Sequence, residues 1–163
     1  MHAARQHGAA IEAELGRLSG SEDGLSIPEY EARLTDPQMA INFVDQTGVD
    51  ALAVCIGNVH GHYRAEPKLD FDRLECIQKL VRVPLVLHGA SGLSEVFVQR
   101  AIDLGVRKLN VNTEVREAYV NALRTSSQKE KKADLIDILS EVIEAMQTVV
   151  VSKLRLFRSN GHA

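Results

Sequence analysis

Four short aliphatic runs, residues 9–15, 51–56, 84–87 and 108–111, recur along the chain, each closing on Gly, His, Asn or Glu and separated from the next by helical signals. Asp36 followed by Pro37 predicts a helix ending at Gly48, because proline suits the first turn and glycine the left-handed cap. Asp70 caps a second helix carrying Phe71, Leu74, Ile77 and Leu80 at three-residue steps, and Ser94 opens a third that stops at Gly105. Strands joined by crossover helices make a parallel α/β sheet, either doubly wound or closed into a barrel. Polar residues at the strand ends favour the barrel. A complete eight-stranded barrel takes about 250 residues, whereas these 163 supply four strands and open almost directly in one of them. The expected architecture is therefore a parallel (β/α)8 TIM barrel represented by about its last four βα units, with residues 1–163 as its carboxy-terminal half.

A hydrophobic fraction of 45% supports one ordinary core, and a net charge of -3 provides no broad basic field. Nucleic acid and anionic membranes are thus not expected partners, and any bound anion must be held by local geometry. No apolar run approaches the ~20 residues of a membrane-spanning helix, and residues 1–8 lack the apolar stretch of a secretory signal. A cytoplasmic location is the default. Cys55 and Cys76 belong to no paired metal motif, and both are expected to be buried thiols. Residues 124–134 read as a polar loop and 135–157 as a terminal helix. The apolar stripe of that helix suits packing on the barrel, on a second subunit of a dimer, or on the missing amino-terminal half.

His60, in Gly57-Asn58-Val59-His60-Gly61-His62, follows one apolar strand, and His88, in Leu87-His88-Gly89-Ala90-Ser91-Gly92, follows the next. Active sites of parallel α/β proteins lie at that carboxyl end of the sheet. One histidine after a strand is ordinarily a hydrogen-bonded turn residue; two, with Gly61 and Gly89 beside them to let substrate and metal approach the backbone, suit a shared zinc ion. A third protein ligand is not evident, since His62 stands only two residues from His60.

Gly89, Ala90 and Ser91, with Asn110, Val111, Asn112 and Thr113, form a second constellation. Loops after the last two strands of a barrel, with a helix amino terminus, commonly hold phosphate. Thr113 as a helix cap and the glycine turn as a mere connection explain the same residues equally well. Glu14 closes the first strand, and Glu22 lies in a Gly- and Ser-rich segment read as a mobile loop, where a carboxylate either serves as a general base or is simply solvated.

In order, residues 12–24, 56–63, 67–71, 84–92 and 106–114 resemble segments of the class II fructose- and tagatose-bisphosphate aldolases. The most specific are the His-Gly turn at His60, Leu-His-Gly-Ala-Ser-Gly around His88, and Asn-Val-Asn-Thr-Glu from Asn110. The likeness extends to residues 153–157 and is strongest to the aldolase-like part of large multidomain plant proteins. The resemblance implies that His60 and His88 ligate zinc, that Glu14 is an alternative ligand, and that Glu22 exchanges the substrate proton. It further implies that Gly61, Gly89, Ala90, Ser91 and Asn110 to Thr113 bind dihydroxyacetone phosphate. Ser21 stands where many members have a second acid. The third zinc histidine and the aspartate that protonates the leaving aldehyde belong to the family's first four strands. The expectation is zinc-dependent cleavage of a ketose 1,6-bisphosphate, complete only in a longer parent chain. Two other readings stay open: a noncatalytic sugar-phosphate or assembly module, and a Schiff-base aldolase using Lys108.

Overall fold

The computed structural model describes residues 1–22, 25–29, 32–61, 63, 66–128 and 134–162. It divides into two compact units, residues 1–110 and 111–163.

The first unit holds a short helix α1 (His2–Gln6) and a four-stranded parallel sheet. That sheet is built from β1 (Glu12–Leu15), β4 (Ala51–Val54), β6 (Leu85–Leu87) and β7 (Val106–Leu109), in that order. Between its strands run α2 (Pro37–Thr47), α3 (Phe71–Leu80) and α4 (Glu95–Asp103). Each begins where a side chain satisfies an orphan amide: Asp36 accepts from Met39 N–H at 2.9 Å, Asp70 from Arg73 N–H at 2.9 Å, and Ser94 from Phe97 N–H at 3.4 Å. Gly48 closes α2 in the left-handed conformation.

The core lies where Val44, Leu74, Ile77 and Val98 of the helices are buried together with Leu52, Val54, Leu85, Leu87 and Val106 of the sheet. Leu80, expected on the same stripe, is 40% exposed. Three-residue steps drift against a 3.6-residue turn, so Leu80 falls roughly 180° around α3 from Phe71. Cys55 is buried as expected, but Cys76 is exposed on α3 and the expectation of two buried thiols is corrected.

A second sheet departs from the sequence reading. β2 (Ser19–Glu22) pairs antiparallel with β3 (Leu25–Ile27) and parallel with β5 (Val59–His60). Residues 19–22, expected in a mobile loop, are thus a strand whose amides are used in a ladder.

Thr35, 1% exposed, ties β1 to the chain beyond β4: its hydroxyl donates to Leu15 O and accepts from Cys55 N–H at 2.8 Å. Thr35→Val keeps the shape and strands both groups. The expected cost is about 2–3 kcal/mol, read as a lowered urea midpoint at unchanged m-value.

The second unit is a helical pair, α5 (Thr113–Ser127) and α6 (Leu135–Leu156). Lys153 Nζ lies 2.5 Å from Glu114 Oε2, and Ser126 Oγ bonds to Glu141. Joining each start to the other's end, these contacts make the helices antiparallel. α5 continues through Ser127, three residues beyond Arg124 where the polar loop was expected to begin. Among the described residues no helix is long and apolar enough to cross a membrane.

Candidate metal centre

Glu12 and Glu14 alternate with Ala13 and Leu15 along β1, so both carboxylates leave one face of the parallel sheet. The register sets Glu14 beside Ala53, Ala53 beside Val86 and Val86 beside Lys108, which puts Lys108 on the same face. His88, two residues past Val86, continues it. Its Nδ1 is 2.8 Å from Glu14 Oε2 and its Nε2 is 3.0 Å from Glu12 Oε1. Lys108 Nζ lies 2.9 Å from Glu12 Oε2 and donates to Asn110 Oδ1 at 2.7 Å.

The hydrogen bond to Glu14 pushes His88 above the ordinary imidazole value; partial burial works against this and Glu12 adds to the rise. For Glu12, burial raises the carboxyl, but hydrogen bonds from His88 and Lys108 outweigh it and hold the group below its ordinary value.

His60 reaches the same place by a different route from the one expected. β4 ends at Val54, and His60 belongs to β5 in the second sheet, six residues later, instead of to the strand tip. Asn58, 1% exposed, folds the intervening segment: its Oδ1 accepts from Ile56 N–H at 2.8 Å, and its Nδ2 donates to His88 O at 2.9 Å and to Val54 O at 3.4 Å. The half-buried Tyr63 hydroxyl donates to Gly89 O at 2.9 Å and accepts from Val59 N–H at 3.3 Å, and the burial it has pushes it up to about 12. The backbones also touch. A Cβ on Gly89 (φ +62°) would stand 2.0 Å from Val59 O, and one on Gly20 (φ +108°) 2.0 Å from His60 O. The room at Gly89, expected to admit substrate and metal, is taken up by the neighbouring loop's own backbone.

The imidazole centroids of His60 and His88 are 6.1 Å apart, with the rings inclined at 68°. One donor atom each from Glu14, His60 and His88 lies within 4.8 Å of the others. Zinc bonds of ~2.0–2.2 Å at tetrahedral angles separate donors by roughly 3.3 Å. Small side-chain rotations therefore close the set, and two imidazole nitrogens with one carboxylate is a ligand combination that zinc takes in catalytic sites with a fourth position open. The residues fit the metal.

Residues 1–162 match the family model for class II fructose-bisphosphate aldolases. The chain belongs to the class II fructose-bisphosphate aldolase family. Solved structures agree. The YdjI aldolase from Escherichia coli K12 is 37% identical, with a TM-score of 0.83 over 99% of this chain and 54% of its own. A protein from Coccidioides immitis assigned as a fructose-1,6-bisphosphate aldolase is 38% identical, with a TM-score of 0.87 over 96% of this chain and 55% of its own. The fructose-bisphosphate aldolase from Campylobacter jejuni, 22% identical, shares the fold at a TM-score of 0.72 over 95% of this chain and 53% of its own. The chain thus spans about half the length of these aldolases, and its four parallel βα units make a partial TIM barrel.

In this aldolase-family chain the remaining expected site residues divide by place. Gly89, Ala90 and Ser91 form the turn after β6, with Ala90 and Ser91 buried. Asn110 lies against it: Ala90 N–H donates to Asn110 O at 3.2 Å, and Asn110 N–H to Leu87 O at 3.1 Å. The Ala90 amide, expected to face an anion, is thus used by the fold. Gly61 (φ +87°) follows β5 against Ser21. Val111, Asn112 and Thr113 open the second unit, where Thr113 is the first residue of α5 and Asn112 stands at its cap without a side-chain cap bond. Glu22 closes β2, but its side chain lies outside the described residues, as does His62. Sequence reasoning assigned no role to Glu12, Gly20, Asn58 or Tyr63. Only Glu12 carried a usable signal, two residues from Glu14 and of the same parity on a strand.

Proposed function

We propose that the chain forms the carboxy-terminal half of a cytoplasmic, zinc-dependent aldolase that cleaves and forms a ketose 1,6-bisphosphate of fructose or tagatose type. The products are dihydroxyacetone phosphate and an aldehyde phosphate. The convergence of Glu14, His60 and His88 in a chain of this family carries the reading. Bound by these three residues, zinc would supply Lewis acidity toward the substrate's ketone oxygen. Glu22 removes and returns the proton on the carbon beside that ketone. Gly61, Ser91 and Asn110 bind dihydroxyacetone phosphate, Ser91 through its hydroxyl, while Gly89 and Ala90, whose backbone is packed against Val59 and Asn110, shape the turn that carries Ser91. Val111, Asn112 and Thr113 carry the phosphate-binding role implied by the family resemblance. The proton donor to the departing aldehyde comes from strands outside this half, in a longer parent chain or a partner.

The Schiff-base alternative is disfavoured by the surroundings of Lys108. An amine nucleophile is activated by desolvation or a neighbouring cation, whereas Nζ here is half-exposed and lies against Glu12 and Asn110.

The test is zinc content together with cleavage of fructose and tagatose 1,6-bisphosphates. The expected result is one zinc per chain, little or no turnover by the 163 residues alone, and turnover once the other barrel strands are supplied. Steady, chelator-sensitive cleavage by the chain alone would overturn the need for a second half. A chain without stoichiometric zinc would instead be the noncatalytic sugar-phosphate or assembly module.

A further inference from the structure

We infer that Glu12 is a positioning residue for the metal ligand His88, fixing the tautomer and orientation that present Nδ1 to the ion, with Lys108 holding Glu12 in place. The inference rests on the zinc reading above and adds to it a residue outside the donor set. His88 Nδ1 faces Glu14, itself one of the three donors, while Nε2 on the far side of the ring meets Glu12 Oε1 at 3.0 Å. An imidazole that binds metal through one nitrogen must carry its proton on the other. A carboxylate accepting that proton's hydrogen bond selects the tautomer, stops the ring from turning and makes the ligating nitrogen more basic.

Glu12 is itself braced. Its second oxygen is 2.9 Å from Lys108 Nζ, and that ammonium is anchored by Asn110 Oδ1 at 2.7 Å. The chain of contacts Asn110, Lys108, Glu12, His88 thus crosses from β7 to β1 and back to the end of β6. It assigns Lys108 a use that needs no covalent chemistry. Glu12 has no such place among the donors: its two oxygens are already engaged by the ring and the ammonium.

The test compares the wild-type chain with Glu12→Ala and Glu12→Gln. Zinc affinity is measured by competition with a chromophoric chelator, and the visible spectrum of the cobalt(II) form reports the ligand set. Glu12→Ala is expected to bind zinc about 10–100-fold more weakly. Glu12→Gln keeps an acceptor for Nε2–H without its charge and is expected to lose about three- to tenfold. Cobalt band positions should stay those of the wild type in both variants.

Wild-type zinc affinity in Glu12→Ala would overturn the inference, as would a melting temperature lowered without any change in affinity. Shifted cobalt bands would also overturn it, by making Glu12 a direct ligand. If Glu12→Ala does not fold, Glu12→Gln decides: unchanged affinity there rejects the positioning role. These outcomes leave the aldolase reading standing, whereas a wild-type chain that takes up no zinc removes both.

Discussion

His88→Ala is expected to take the chain from one bound zinc to none that survives gel filtration, and His60→Ala to do the same. Structural zinc sites with four ligands bind with about 10–16 kcal/mol, so one ligand accounts for roughly 3 kcal/mol, more than a hundredfold in affinity. The loss should exceed that expected for Glu12→Ala, because a donor is removed instead of its support. In His88→Ala a second effect adds to the first: Glu12 and Glu14, which now meet opposite nitrogens of one ring, lose the group between them. Metal analysis of purified variants after exposure to equimolar zinc checks the prediction. A His88→Ala chain that retains stoichiometric metal would show that these side chains do not share an ion.

Asn58→Leu is expected to be the most damaging single substitution away from the donors, costing about 3–5 kcal/mol. The replacement is of similar size but strands Ile56 N–H and His88 O, both of which Asn58 satisfies in a site 1% exposed. Each buried group left without its partner costs about 1–3 kcal/mol. Against a total stability of about 5–15 kcal/mol this is a large share. Asn58→Asp should fall between, since a carboxylate still accepts from Ile56 but cannot donate to His88. Urea denaturation of the metal-free proteins measures both. A Leu variant within 1 kcal/mol of wild type would mean that the two loops do not depend on this amide.

The helices were legible because their signals are local. Asp36, Asp70 and Ser94 each act within three residues of themselves, and all three cap as read. The four strands of the parallel sheet were legible in order but not in extent. β7 spans Val106–Leu109 where residues 108–111 were expected, because its register is set by β6, with an irregularity between Leu85 and Val86. β1 begins at Glu12 although the apolar run begins at residue 9: Ala9 N–H is taken by Ala4 O and Ile11 N–H by Asp50 Oδ2. The sheet of β2, β3 and β5 left little trace in the sequence. Ser19 and Gly20 have weak strand propensity and pair because β5, and for Gly20 also β3, lies alongside.

What the sequence alone determined was the family, the parallel α/β layout and the identity of two imidazoles, since caps, turns and short motifs are written in neighbouring residues. Only the tertiary structure decided that Glu14 joins those imidazoles, that Glu12 and Lys108 stand behind His88, and that Asn58 clamps the two loops. Each of those facts depends on residues 30 or more positions apart, and their meeting is fixed by strand register and loop packing, which no local pattern encodes.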